Sequence, residues 1–139
     1  MPIRLDADFH DGTVHGFWLR GSSFHLLLST EDGAEYALLV HELVAVSSAG
    51  FSTQNIIFDV QIKEARDLTE EDMREVYAIS EMPGDESRLP GLLEKAQARE
   101  SILVVVDPSC GANCLALGHS VELLTRDAWT TRLLAWQQT

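Results

Sequence analysis

Cysteine is scarce in this chain of 139 residues, which contains only Cys110 and Cys114. Two cysteines cannot make the disulfide framework that is typical of a small secreted domain. Residues 1–6 lack the basic start followed by an apolar stretch that marks an export signal. No hydrophobic run reaches the length needed to cross a bilayer. We therefore expect reduced thiols and a cytoplasmic protein.

Basic residues are also few, with 10 lysines and arginines against 22 acidic residues and a net charge of −12. No cluster of lysine and arginine is present to attract a phosphate backbone or an anionic membrane surface. The composition therefore argues against nucleic acid and membrane as partners. It permits a basic protein partner, although a net negative charge also serves simply to keep a protein in solution.

Motifs that identify a reaction are missing. The sequence contains neither the G-x-x-x-x-G-K-[ST] phosphate loop nor the G-x-S-x-G nucleophile elbow, and it predicts no cofactor. Hydrophobic residues make up 45% of the chain, the ordinary share of a globular protein. Because no linker divides the chain, we expect residues 1–139 to form a single α+β domain.

The first half of the chain has the alternation of a β-sheet, and two Asp-Gly pairs divide it. Such pairs favour two-residue hairpin turns. A turn at Asp11-Gly12 places Asp8 opposite His15. Further β-strands are predicted at residues 43–47 and 55–62, so residues 3–62 predict an antiparallel meander of hairpins.

The second Asp-Gly pair predicts a hairpin with two apolar faces. A turn at Asp32-Gly33 brings residues 24–30 against residues 35–40. One face is then expected to hold Leu26, Leu28, Ala37 and Leu39. A strand pair that is apolar on both faces has to be covered on both sides. Helices account for one cover, and a second copy of the chain, hence a homodimer, accounts for the other.

Helical patterns appear only after residue 68. Three helices are expected near residues 69–79, 90–100 and 126–137, and a strand pair is expected near 102–124. The fold predicted is therefore α+β, a mostly antiparallel sheet packed against about three helices. Trp129 and Trp136 share one face of the last helix, where core packing competes with a stacking or docking surface.

The segment 107–119 carries the first candidate site. Cys110, Cys114 and His119 are residue types that bind zinc, and a cysteine beside a histidine can also serve as a nucleophile. The C-x3-C spacing matches no fixed zinc motif. The competing interpretation is a buried apolar Cys114 and an incidental Cys110.

A second candidate is a polar cluster on the first predicted hairpin. Asp8, His10 and His15 would share one face there, and two imidazoles with a carboxylate can bind a metal or carry protons. The competing interpretation is a solvated face with a cross-strand charge pair. Asp59, which interrupts an apolar strand, is expected to point outward by simple alternation.

Taken together, these patterns favour a non-enzymatic, acidic binding or regulatory domain that presents a surface to a protein partner. The alternative is a small enzyme or metal-binding protein that uses the segment 107–119. A small-ligand pocket between the sheet and the helices is a third hypothesis. Binding to a basic partner would weaken with salt because screening shortens charge attraction.

Overall fold

The computed structural model describes residues 5–79 and 85–137. It contains one antiparallel sheet of eight strands and three α-helices, which confirms the predicted α+β class. The strands are β1 (Thr13–Arg20), β2 (Ser23–Ser29), β3 (Glu35–His41), β4 (Ala45–Ala49), β5 (Ile56–Lys63), β6 (Ile102–Cys110), β7 (Asn113–Gly118) and β8 (Ser120–Thr125). The helices are α1 (Glu70–Val76), α2 (Leu89–Ala98) and α3 (Arg126–Gln137).

The sheet curls until its two ends are joined. Its strand order is β4-β7-β6-β5-β1-β2-β3-β8, so the two outermost strands are β4 and β8. Only residues 42–44 separate β3 from β4, and only His119 separates β7 from β8. The β3–β4 segment therefore runs antiparallel along the β7–β8 segment, and the order closes into a ring.

Two backbone hydrogen bonds continue this pairing across the bends. The Val44 N–H donates to the Leu117 carbonyl at 2.8 Å, and the His119 N–H donates to the His41 carbonyl at 2.9 Å. Gly118 lies at the closest approach, because a Cβ atom built there would come within 2.5 Å of a Val40 methyl and 2.7 Å of the His41 oxygen. A side chain at residue 118 would therefore force these segments apart.

The ring is weakest between β1 and β5. These strands share a single register pair, Thr13 with Ile56. Beside it, the Val14 N–H donates to the Asn55 carbonyl at 2.8 Å, and the Ile57 N–H donates to the Gly12 carbonyl at 2.9 Å. Beyond these contacts, the remainder of β1 has a free edge among the described residues.

The inner face of the ring is the main hydrophobic core. It consists of buried side chains from six of the strands, β1, β2, β3, β5, β6 and β7, together with Phe9 from the segment before β1. Its buried members are Phe9, Val14, Phe24, Leu26, Leu28, Leu38, Val40, Ile57, Ile62, Val104, Val106, Cys114 and Ala116. Leu5 and Ala7 pack against this core as well, so the segment before β1 helps to fill the gap beside β5.

Helices α1 and α2 cover the outer face of β6 and β7. Met73 and Val76 from α1 pack with Leu103, Leu115 and Leu117 in a second cluster. Helix α1 begins with a reciprocal capping box, in which the Thr69 hydroxyl accepts the Asp72 N–H and the Asp72 carboxylate accepts the Thr69 N–H. The short helix therefore has its first turn satisfied by local bonds.

Helix α3 covers a different outer face, against β3 and β8. Ala37 and Leu39 point to this side and are at most 1% exposed, while no residue of α3 is itself buried. The β2–β3 hairpin is thus covered inside by the closed sheet and outside by α3. The expectation that a second copy covers one of its faces loses its basis.

No helix among the described residues is long and apolar enough to cross a membrane.

The prediction of a hairpin at Asp11-Gly12 is wrong. Strand β1 begins after this pair and pairs with β2, which sets Trp18 opposite His25. Gly12 is buried instead, and a Cβ atom there would lie 2.1 Å from the Ser29 carbonyl oxygen. The glycine therefore permits a close backbone approach and does not reverse a β-ladder.

The hairpin at Asp32-Gly33 is confirmed, but the predicted assignment of its faces is wrong. The loop spans residues 30–34, so Leu26 pairs with Leu38 and Leu27 pairs with Ala37. A two-residue turn at Asp32-Gly33 would have shifted this register by one residue. Since side chains alternate along a strand, that shift exchanges the two faces.

Gly118→Ala tests the closure of the sheet. We expect it to lower the free energy of unfolding by about 1–3 kcal/mol, because the added methyl overlaps backbone and side-chain atoms in a packed site. Gly91→Ala is the control, because a Cβ atom there meets nothing within 4 Å, and it should be neutral or stabilising by up to about 1 kcal/mol. Urea unfolding of both variants provides the comparison, and equal stability of both would contradict the close contact.

Candidate functional site

The predicted cysteine site is not assembled in the structure. Cys110 is exposed at the end of β6, His119 is exposed at the bend between β7 and β8, and Cys114 faces the inner core. Burial raises the pKa of the Cys114 thiol to about 12. At neutral pH this buried thiol is protonated, so it lacks the thiolate charge of a nucleophile.

The second predicted cluster is also divided. Asp8 accepts a hydrogen bond from the His10 backbone N–H at 3.0 Å, and His10 Nδ1 donates to the Phe58 carbonyl at 2.7 Å. His15 lies on β1 and is hydrogen-bonded to the Ser29 hydroxyl at 2.9 Å. The trio required a hairpin that does not form. Within residues 5–79 and 85–137, no three histidine, cysteine or acidic side chains converge to hold a metal ion.

The hydrogen bond from His10 to the Phe58 carbonyl raises the pKa of the imidazole, and the charge of Asp11 adds to this effect. His10 remains exposed at the surface. It therefore serves to join the segment before β1 to strand β5.

An acid-lined groove runs along this junction. The groove has a volume of about 840 Å³ and lies between residues 5–9 and strand β5. Apolar groups form part of its wall, and four charged groups stand along it. Its lining comprises Leu5, Ala7, Asp8, Phe9, Asp59, Val60, Gln61, Ile62, Lys63 and Asp67.

A neighbouring depression extends the acidic surface. Ala7 and Asp8 line both the groove and this second cavity of about 450 Å³, which also contains Glu31 and Asp32. The hydroxyl of Thr30 donates to Asp32 and lowers the pKa of that carboxyl. Both depressions together form what we call the acidic groove, a continuous surface on either side of residues 7 and 8.

The positive charge at the acidic groove is already engaged. Lys63 donates to the Asp72 carboxylate at 2.8 Å, and this carboxylate also caps helix α1. Among the described residues, no lysine or arginine forms an ion pair with Asp8, Asp59 or Asp67. Within the described part of the chain, these three carboxylates therefore have no basic partner.

A different concentration of functional groups lies beneath α3. His25 on β2 is completely buried there, and three tryptophan rings surround it. Their centroids lie 5.4 Å (Trp18), 6.2 Å (Trp129) and 5.6 Å (Trp136) from that of the imidazole. The Trp129 indole N–H donates to His25 Nδ1 at 2.8 Å.

Charged side chains border this histidine–tryptophan cluster. The carboxylate of Glu122 is bonded to His41 Nε2 at 2.7 Å and also receives the guanidinium of Arg132. Burial acts to raise the pKa of Glu122, but the bonds from Arg132 and His41 outweigh burial and lower it. On the other side, the Arg20 guanidinium lies 4.5 Å from the centroid of the Trp136 ring. The contact between α3 and the sheet therefore combines the apolar tryptophan rings with hydrogen-bonded and charged side chains.

Sequence reasoning found only part of this cluster. The i, i+7 spacing of Trp129 and Trp136 placed them on one helix face, but nothing in the pattern joined them to His25. The one feature of the sequence that could have indicated the cluster is His25, a histidine inside the apolar run from Phe24 to Leu28. Its significance depends on Trp18, which comes opposite through the β1–β2 register.

Comparisons with known proteins return no relative of this chain: no family model, no curated protein and no solved structure matches it.

Thiol chemistry tests the placement of the two cysteines. In the native protein we expect Cys110 alone to react with a thiol reagent at neutral pH, because Cys114 is buried and protonated. Both should react after denaturation. A time course with Ellman's reagent, repeated on Cys110→Ser, measures this difference, and rapid labelling of native Cys110→Ser would contradict the assigned burial of Cys114.

Proposed function

We propose that this chain is a non-enzymatic binding domain whose acidic groove receives a basic segment of a protein partner. The observation that carries this proposal is the combination in one groove of an apolar wall with carboxylates that form no ion pair among the described residues. Leu5, Ala7 and Val60 supply apolar surface, while Asp8 and Asp59 stand beside them. Such a groove suits an extended segment in which lysine or arginine alternates with apolar residues.

The apolar and the charged parts would contribute differently to binding. Burial of apolar surface stabilises a complex by about 25 cal/mol per Å² of area removed from water. An exposed ion pair contributes only up to about 1 kcal/mol. Contact with the wall of the groove therefore supplies most of the affinity, and the carboxylates select the sign of the partner's charge.

The charge of the whole chain supports the same partner. A net charge of −12 attracts a basic protein over distances comparable to the Debye length, about 8 Å at physiological salt. This attraction accelerates encounter and falls as salt is added. We propose the cytoplasm as the place of this encounter, in keeping with the two free thiols.

Neutralising the groove should weaken binding without changing the fold. For the double variant Asp8→Asn with Asp59→Asn, we expect roughly tenfold weaker affinity for a synthetic peptide of alternating lysine and leucine, because two ion pairs are lost. Isothermal titration calorimetry at low and at physiological salt measures this change. The loss should shrink at the higher salt because screening already weakens those pairs.

A charge-matched control separates the groove from net charge. Glu94→Gln with Glu100→Gln removes the same two charges from exposed positions on and beside α2. We expect this control to bind the peptide almost as tightly as the unchanged protein. Equal loss in both double variants would show a general charge effect, and salt-insensitive binding would remove the proposal.

We further propose that two copies of the chain associate through the free edge of β1. Phe17 and Leu19 belong to the inner face by register, opposite the buried Leu26 and Phe24, yet each is 48% exposed. The ring of Phe51 lies 5.7 Å from that of Phe17 and extends the same apolar surface. These three side chains form what we call the β1 patch.

The charge distribution favours a second copy as the occupant of the β1 patch. None of the 22 acidic residues falls within residues 13–30, so β1 and β2 are acid-free in a strongly acidic chain. Elsewhere on the surface, two copies would bring like charges together at a cost. At β1, two free strand edges can pair while their apolar side chains cover each other.

A charge placed in the β1 patch should separate the copies. Leu19→Lys is expected to yield a monomer where the unchanged chain sediments as a dimer, because the ammonium would have to lose its water in the contact. Leu134→Lys makes the same change at a 55% exposed position on α3 and should leave the dimer intact. Sedimentation velocity over a wide concentration range measures the oligomeric state of all three proteins. A monomeric unchanged chain would refute this assembly.

A further inference from the structure

His25 is fully buried but only half satisfied. Its Nδ1 accepts the Trp129 indole N–H, so in this arrangement the imidazole is neutral and carries its proton on Nε2. His25 Nε2 is buried as well, and it has no hydrogen-bond partner among the described residues. A buried donor without an acceptor lowers the stability of the folded state, so the protonation state of His25 matters for the stability of this contact.

Protonation of His25 would conflict with both its bonding and its surroundings. A proton on Nδ1 turns this atom into a donor that faces the donating Trp129 N–H. The groups around it are Arg20 on β1, His41 on β3, Glu122 on β8 and Arg132 on α3. Glu122 is the carboxylate among them, and it already accepts from His41 and Arg132.

Burial is the largest cause that lowers the pKa of His25 from 6.5, and His41, Arg20 and Arg132 lower it further. The sign of the pH effect follows from this direction. A state in which α3 has left the sheet solvates the imidazole and takes up a proton below about pH 6.5. The docked state does so only at lower pH, so docking of α3 weakens as the pH falls between the two pKa values.

Elsewhere in the described structure, the side chains of helix α3 meet the sheet at exposed or partly exposed positions. None of its residues is buried, and its ion pairs, Arg126 with Glu35 and Arg132 with Glu122, are partly exposed and therefore weak. Arg20 adds a stacking contact on Trp136 and a long hydrogen bond of 3.5 Å to its carbonyl. The contact of His25 with the tryptophans thus lies at the centre of the docked face.

We propose that His25 is a proton-sensitive latch, and that its protonation releases α3 from the outer face of β2, β3 and β8. Release would expose Ala37 and Leu39, both buried beneath α3 in the neutral form. It would also separate Trp129 and Trp136 from the imidazole while Trp18 stays beside it on the sheet. The inner core needs no change, because it lies on the opposite face of the same strands.

The chain offers an internal reporter of this step. It contains three tryptophans in all, and every one of them lies against His25. Its intrinsic tryptophan fluorescence therefore reports on this cluster alone. Titration from about pH 8 to about pH 5 should give a shift to longer wavelength with a midpoint below 6.5, with the released fraction rising by up to about tenfold per pH unit.

Variants assign this transition to one histidine. In His25→Gln the side-chain oxygen can accept the Trp129 N–H but takes up no proton, so the fluorescence transition should disappear. His15→Gln on β1 and His41→Gln should retain a transition. A flat titration of the unchanged protein, or the same transition in His25→Gln, would overturn the proposal, as would a transition lost only in His41→Gln.

Hydrogen exchange of the unchanged protein tests the latch even if His25→Gln fails to fold. At the acidic end of the titration, the amides of residues 126–137 should lose protection at least tenfold more than those of β6 and β7. Uniform loss of protection over the whole chain would indicate global unfolding and would refute a local release of α3.

Discussion

The pairing of the β3–β4 segment with the β7–β8 segment is the constraint on which the rest of the structure depends. It joins the two ends of an eight-stranded sheet and gives that sheet an inside. Gly118 permits the approach because it places no side chain between Val40 and the His41 carbonyl. Once the sheet is closed, alternate residues on every strand have only two environments, the shared core or an outer face that needs its own cover.

The outer faces of the sheet are covered unequally. Helices α1 and α2 bury side chains of their own against β6 and β7, so that side is a second core. Helix α3 buries none of its residues, and its contact is organised around a histidine and three tryptophans. Because histidine titrates near neutral pH, its place at the centre of this contact is the basis of the pH sensitivity that we propose for α3.

Charge follows the same division of the surface. The acidic groove lies between residues 5–9 and β5, and its carboxylates form no ion pair within the described residues. On the other side of the same weak junction, β1 is free of acidic residues and exposes Phe17 and Leu19. One incomplete strand pairing thus creates both proposed contact surfaces, one polar and one apolar.

The sequence by itself determined the elements: the α+β class, the three helices, the Thr69 start of α1 and the loop around Asp32-Gly33, because these depend on neighbours in the chain. The tertiary structure decided the rest. It set the register of β2 against β3, and a change of one residue in the length of the loop would exchange the two faces of this hairpin. It also placed Gly12 in a close approach to the Ser29 carbonyl, where the sequence had predicted a hairpin turn. It also decided that Cys114 lies in the core and that His25 meets Trp129, 104 residues later. Local patterns report which residues avoid water, but partners far apart in sequence meet only when the sheet has closed.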